Sequence, residues 1–429
     1  MKKKLLSLLL AGVMVLSLAA CGGGGEEKEK EADPNKLTVM AWDPNFNIPA
    51  LKAAEAEYKK TNPDFVLEIM EQSGSGDVET AIKTAATAGD YTNVADIVLF
   101  QDHYINKFYT DYPDAWVDIA DAEINWDDFS AEKLSYSTLD GKHYGVPVDN
   151  GAVITAYRVD ILEECGYTLD DLTGVTWDEF ITIGKDIYAK TGKYLACMDG
   201  NGNDMIYMMM QAEGASQFKD GKPYITENET LVQVIEKIVT MAKENVLYLA
   251  NDWSGYTNDA IQKDMVAGVM NGNWIIPTMK QVTENSGKWA LTTMPTLDGH
   301  EGYAGNGGSS LYITAACQNV DLAKDFLAKT FGSSTAVYDQ SLTDGGVIGT
   351  YLPASTSEIY NAEDEFFGGA AIYSYILSES ENIPVIEQSD FHYTVRGHLG
   401  TAIVNIINGA DFDSELKAAE DQLKFDMGL

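Results

Sequence analysis

Between residues 37 and 100 the chain reads strand, helix, strand, helix, strand, and this alternation restricts the fold more than any other feature. Leu37-Thr-Val-Met-Ala41 is a short β-rich run, broken by Trp42-Asp43-Pro44-Asn45. From Ile48 to Tyr58 the residues are good helix formers with apolar positions on one side. Phe65 to Met70 reads as a second strand, and Val78 to Ala88 as an Ala/Thr-rich helix that Gly89 ends. Asp96-Ile-Val-Leu-Phe100 is apolar without alternation, the mark of a strand covered on both faces, as in a parallel sheet. Strands and helices in this order form an α/β layer architecture.

The later chain adds strands at Tyr144–Val148, Val153–Tyr157 and Leu311–Thr314, and a strand running into a turn at Val269–Trp274. Helices are expected at Leu231–Met241, Ala260–Ala267, Leu322–Thr330, Gly397–Ile407 and Ser414–Leu423. Thr176-Trp-Asp-Glu179 has the form of a capping box, so a helix starts there. About 400 residues beyond the leader exceed one ordinary core and call for two lobes.

The leader itself is legible. Lys2, Lys3 and Lys4 precede an apolar run from Leu5 to Ala20, which reads as a secretory signal and not as part of the fold. At roughly 16 residues it falls short of the ~20 needed to span a bilayer. It ends Leu18-Ala19-Ala20-Cys21-Gly22, which resembles the bacterial lipobox, where the cysteine becomes the acylated first residue. The bland alternative is a plain signal peptide with an incidental cysteine. One acyl chain such as palmitate anchors only marginally, so a stable tether on Cys21 implies more than one. Residues 21–35, rich in Gly and Glu, carry no apolar periodicity and read as a flexible tether. The expected location is the outer face of the cytoplasmic membrane, lipid-anchored.

Loss of the three leader lysines leaves 26 basic residues against 66 acidic, a balance of −40. Such a field excludes nucleic acid as a partner and disfavours polyanionic ligands. The remaining cysteines, Cys165, Cys197 and Cys317, are odd in number and widely spaced, which argues against a disulfide framework.

Several segments are similar to the extracellular solute-binding proteins of ATP-binding-cassette importers, in the branch that includes maltose-binding proteins. They are Asp140-Gly-Lys-His-Tyr-Gly-Val-Pro147 running on to Tyr157-Arg-Val-Asp160, Thr176-Trp-Asp-Glu-Phe180, Val266-Ala-Gly-Val-Met-Asn-Gly-Asn-Trp274 and Asp321-Leu-Ala-Lys-Asp-Phe-Leu327. Their order and spacing carry the resemblance, over nearly all of residues 36–425. It implies a two-lobe periplasmic-binding-protein-like fold of type II, with the ligand cleft between lobes joined by hinge strands. One lobe would take residues 36–148 plus 302–350 and the other 153–298 plus 356–429, with hinges near 149–151 and 299–302. The implied function is capture of a mono- or oligosaccharide and its delivery to a membrane permease, without catalysis or a cofactor. Proteins of this kind close about a few hinge residues, so side chains from both lobes must meet one molecule.

A sugar needs an aromatic plate for its C–H face and carboxylates, amides or Arg for its hydroxyl rim. Trp42 and Asp43 stand at the carboxyl end of the first strand, where open α/β sheets bind ligands. Asp102 follows the third strand in the same way and matches a family position that bonds hydroxyls. Asp149 and Asn150 lie at the expected hinge. In the second lobe, Trp274 matches the family's stacking tryptophan, with Asn273 beside it as a rim donor. Trp253 lies in a polar loop. Asn203 and Asp204 precede a helix where the family often touches ligand, although N-capping accounts equally for Asp204. Phe391-His-Tyr-Thr-Val-Arg396 resembles the family's aromatic-Tyr-x-x-Arg segment, with His392 where maltose-binding proteins carry Trp; maltose specificity is therefore not implied. Arg396 is a rim donor or an ion-pair partner.

The common catalytic and nucleotide-binding motifs are missing. Asp199-Gly-Asn-Gly-Asn-Asp204 resembles the start of a calcium loop but lacks the sixth-place Gly and has Met210 where a Glu is needed, so no metal is expected. Two other readings stand beside the sugar-binding one. One is the same fold holding a polyamine or a peptide. The other is an extracellular glycoside hydrolase, since a working carboxylate pair is not visible from sequence.

Overall fold

The computed structural model describes residues 33–44, 46–198, 203–252 and 254–429. Cys21, Trp253 and most of the Asp199–Asp204 loop lie outside them. Residues from Pro34 to the end form one compact unit, whose two larger sheets have five and three strands.

The alternation at the start of the chain becomes β1 (Lys36–Trp42), α1 (Asn47–Tyr58), β2 (Val66–Gln72), α2 (Ser75–Ala88) and β3 (Ile97–Gln101). β1 lies between β2 and β3, parallel to both, with Trp42 opposite Gln72 and Val39 opposite Ile97. Strand Ser309–Ile313 then pairs antiparallel with β3, and strand Gly145–Asp149 closes the sheet. Side chains alternate along a strand, and the core divides accordingly. Leu37, Val39, Ile97 and Leu99 pack with Leu51, Ala54 and Tyr58 of α1. Met40, Val98 and Phe100 pack on the other face with Val78, Ile82 and Ala85 of α2. Continuous apolar sequence in β3 thus reflects helical layers on both sides. Gly89 ends α2 in the left-handed region at φ +67°, as its position in sequence implies.

In the second sheet Val153–Arg158 runs between Gly268–Gly272 and Trp289–Thr292, antiparallel to both. Helices Trp177–Thr191, Glu229–Lys243, His392–Ile407 and Phe412–Asp426 supply its core. The capping box is formed: Thr176 Oγ1 accepts from Glu179 N at 3.2 Å, and Glu179 Oε2 accepts from Thr176 N at 2.9 Å. Cys165 and Cys197 are buried free thiols and Cys317 is half-buried and free. Among the described residues, no helix is long and apolar enough to cross a membrane.

Two expectations are corrected. Ala260–Ala267 is not a helix: a π-helical segment, Gly255–Ile261, stops short, and Asp264 takes a left-handed φ of +58°. Beyond it Ala267 N donates to Tyr194 O at 2.7 Å, and Tyr194 N to Met265 O at 3.1 Å. Val266 and Ala267 thus extend the sheet, where apolar residues are better placed than in a solvent-facing helix.

The crossing expected at 299–302 lies further on. Gly302 stays paired with Met294 of the second sheet's side, and residues 303–308 make the passage. They run beside residues 149–153, with Val153 N donating to Ala304 O and Asn306 N to Gly151 O, both at 2.8 Å. Asn150 N donates to Ile348 O at 2.9 Å. A Cβ at Gly151, which has φ +62°, would stand 2.7 Å from Gly307 O, so only glycine lets the two passages lie this close.

Candidate functional site

The carboxyl ends of β1, β3 and Gly145–Asp149, with the amino end of Ser309–Ile313, share one edge of the first sheet. Facing that edge across the paired passages is the turn after strand Gly268–Gly272. A cavity of about 670 Å³ lies between them. The first lobe lines it with Trp42, Asp43, Asn47, Gln101, Asp149 and Ser309; the second with Asp204, Trp274, Pro277, Thr278, Gln281 and Tyr393.

Each position follows from local structure. Trp42 ends β1 half-buried, and the chain turns sharply because Asp43 adopts φ +64°. Asp43 Oδ1 accepts from Phe46 N at 3.1 Å, and its carbonyl from Ile48 N at 3.1 Å. The turn sets α1 so that Asn47, 5% exposed, lines the cavity; its Oδ1 has no protein partner. On the other side, Asn273 N donates to Ala152 O at 2.8 Å and Trp274 Nε1 to Asn306 O at 2.8 Å. Both bonds tie the tryptophan to the passages between lobes. Gly272 is needed beneath it, since a Cβ there would collide with the indole Nε1 and with Asn306 O.

Of the residues expected at the site, Trp42, Asp43, Asp149, Asp204 and Trp274 line this cavity. The others that are described lie behind its wall. Asp102 is fully buried, ion-paired with Lys133 Nζ and accepting from Ser310 Oγ at 2.8 Å. Asn150 Oδ1 accepts from Ala152 N at 2.9 Å, inside the passage. Asn273 and His392 are each 3% exposed, and Asn273 Nδ2 and His392 Nε2 have no protein partner. Arg396, 1% exposed, donates from Nη1 to Asp204 Oδ1 at 3.2 Å and from Nη2 to His103 Nδ1 at 3.2 Å. Its guanidinium lies 4.1 Å from the Tyr207 ring centroid and 5.0 Å from that of Tyr393. It holds the orientation of Asp204 and backs Tyr393.

Tyr393, Asn47, Gln101 and Gln281 were missed by sequence reasoning. No spacing rule singles out Tyr393: it stands three residues and His392 four residues before Arg396, so both neighbour it on the helix, and packing turns His392 toward Tyr207 and His103. Tyr393 is held from the first lobe by Tyr104, stacked at 3.9 Å and 12°. Asn47 had no signal beyond its place at the start of α1.

Burial dominates the electrostatics under the cavity. It pushes the Asp149 carboxyl up to about 6 against the opposing pull of Lys133, and Asp149 Oδ1 has no protein partner. Burial pushes Glu132 up to about 7 and raises Asp102 as well. Burial works against the charge of Lys133, but Asp102, Glu132 and Asp149 around it keep its pKa above the ordinary range. Burial, then Arg396, holds His103 and His392 neutral. Among the described residues, no three His, Cys, Asp or Glu side chains are placed to hold a metal.

The arrangement offers flat apolar rings, a polar rim and two unpartnered buried acceptors. It fits a neutral molecule with apolar faces and hydroxyl donors. Residues 53–367 match the family described as bacterial extracellular solute-binding protein. A lactose-binding protein of Rhizobium radiobacter is 34% identical over 393 residues, covering 90% of this chain and 92% of that protein. Among solved structures, the sugar-binding protein MalE of Xanthomonas citri superposes with a TM-score of 0.75 at 16% identity, over 90% of this chain and 96% of that one. The galacto-N-biose/lacto-N-biose I-binding protein of Bifidobacterium longum, in complex with lacto-N-biose, gives 0.73 at 18% identity, over 92% and 98%. At these identities the two structures establish the two-lobe fold alone.

Proposed function

The chain belongs to the bacterial extracellular solute-binding proteins, and on that premise we propose that it captures a neutral sugar, a β-galactoside disaccharide such as lactose in the first place, and delivers it to the permease of an ATP-binding-cassette importer. The observation that carries this reading is the composition of the cavity wall. Trp42 and Trp274 offer plates, and Asp43, Gln101, Asp204, Gln281 and Tyr393 a rim. Asn47 Oδ1 and Asp149 Oδ1 face no protein donor. A buried acceptor without a partner costs about 1–3 kcal/mol, and a closure that brings a sugar hydroxyl to it would relieve that cost. The lactose-binding relative, similar over nine-tenths of both chains, supports the choice of disaccharide. The polyamine, peptide and hydrolase readings draw no support from the relatives.

Ligand would be gripped by both lobes. Trp274 is bonded to the passage at Asn306, so contact with the plate is felt at the hinge. A ligand favours closure only by its extra affinity for the closed state, which plates on one lobe and acceptors on the other supply. The lobes would follow the sheets, at 36–148 plus 309–350 and 153–302 plus 356–429, with 303–308 as the second passage. Cys21 would carry the acyl anchor, holding the cleft near its permease through the tether at an effective concentration set by its length.

A thermal-shift panel of lactose, galactobiose, maltose, putrescine and a tripeptide tests the proposal. At a hundred times Kd a ligand stabilises by about 2.7 kcal/mol, and lactose or galactobiose should give the largest rise in melting temperature. A rise with putrescine or the peptide and none with any sugar would sink it. Mass spectrometry of membrane-extracted protein tests the anchor: an unmodified amino terminus, or one cleaved elsewhere than before Cys21, would remove it.

A further inference from the structure

Beside the cavity, past the Trp274 turn, lies a second hollow of about 360 Å³. The two share Pro277, Gln281 and Gly345 as a common wall. Ile276, Lys280, Gly346 and Tyr373 line the rest. Helix Ile276–Lys280 begins directly after the Trp274 turn, so plate and hollow share one short piece of chain. We propose that this hollow is a sugar subsite, receiving the third unit of a chain whose first two lie against Trp274. It rests on the sugar reading above and extends it from a disaccharide to longer oligosaccharides.

The chemistry of the hollow selects a neutral, C–H-rich occupant. Tyr373 Oη donates to Asp364 Oδ2 at 2.8 Å, and Lys280 Nζ donates to the same oxygen at 2.6 Å and to Tyr373 Oη at 3.1 Å. Asp364 is buried at 7% exposure. The charges of Lys280 and Asp364 therefore answer one another, and the pair recruits neither an ammonium nor a carboxylate. With its hydroxyl engaged, Tyr373 offers the hollow its ring, fixed by those bonds, and a fixed ring loses little entropy on binding. Opposite, Gly345 ends helix Thr335–Gly345 and Gly346 sits at φ +67° with open space where a Cβ would be. A wall without side chains lets a sugar ring approach the backbone. Gln281, exposed on the shared wall, puts an amide where the linkage between second and third units would pass.

Calorimetric titration of the full chain with lactose, galactosyl-lactose and galactosyl-cellobiose tests the subsite, since the two trisaccharides extend lactose at opposite ends. One of them should bind about tenfold tighter than lactose. Tyr373→Phe should keep that advantage, and Tyr373→Ala should abolish it while leaving the lactose affinity within about twofold. Two trisaccharides no tighter than lactose on the unmodified protein would overturn the subsite and leave the sugar reading intact. So would an advantage that survives in a folded Tyr373→Ala variant. Absence of binding by all three sugars would instead bring down the sugar reading, and the subsite with it.

Discussion

Replacing Trp274 by Ala removes the plate that the second lobe presents to the cavity. The indole is half-buried, with its Nε1–H on Asn306 O at 2.8 Å and its ring lining the cavity. A buried aromatic side chain covers about 150–250 Å², so one face against a sugar accounts for roughly 100 Å². At about 25 cal/mol per Å² that contact is worth about 2.5 kcal/mol, a loss of about seventyfold in affinity. Trp274→Phe keeps a smaller plate, so its affinity should fall less than that of the Ala variant, and it loses the bond to Asn306, worth about 1 kcal/mol of folding stability. Folding should survive both changes. The freed Asn306 carbonyl opens onto the cleft, and the amide side chain of Asn306 keeps its own bond to Asn271 Oδ1 at 2.7 Å. The assay is calorimetric titration with lactose, alongside the melting temperature of each ligand-free variant. A folded Trp274→Ala protein that binds lactose within about twofold of the parent would refute the reasoning, because the plate would then carry no contact energy.

Asp149 makes sugar binding depend on pH. With its carboxyl pushed up to about 6 and its Oδ1 unpartnered, a donating sugar hydroxyl favours the ionised form. Lactose affinity should fall between pH 7 and pH 5, and Asp149→Asn should flatten that profile in the same titrations. Glu132 acts on stability. Its folded-state pKa is raised from the ordinary 4.5 to about 7, so the stability it contributes is complete below the lower value and lost as pH rises through the upper one. Glu132→Gln should therefore gain about 3 kcal/mol over the parent at pH 8 and nothing at pH 4.5, read as a difference in melting temperature at the two pH values. Gly308→Ala tests the packing under the hinge. At φ +92° the new Cβ would collide with Lys133 Nζ and stand 2.9 Å from Asp102 Oδ2, parting a buried ion pair at a cost of about 3–5 kcal/mol; denaturant unfolding measures it.

What the sequence made legible was what local pattern controls. The alternation from Leu37 to Phe100 identified the first sheet because each strand is apolar in the way its two flanking layers require. Thr176, Glu179 and Gly89 marked helix ends through chemistry contained within a few residues. The ends of β1 and of strand Gly268–Gly272 pointed to Trp42 and Trp274 for the same reason. What stayed hidden depends on partners far along the chain. Asp102 looked like a rim acceptor, but Lys133, 31 residues on, engages it in the interior. The pattern of the segment points to His392 and Arg396 as the ligand side of their helix, yet Tyr393 is its residue on the cavity, an orientation fixed by Tyr104 and Tyr207 from other elements. The run at 260–267 suits helix or strand by composition, and only its pairing with Tyr194 decides between them.

Capture between the two lobes requires that one neutral sugar meet groups from both. Calorimetric titration of the protein, from the tether onward, with lactose at pH 7.5 tests it most directly. One site per chain, with a Kd of roughly micromolar or below, is the predicted result. No heat with lactose or any other neutral sugar, together with saturable binding of a cation or a peptide, would contradict it.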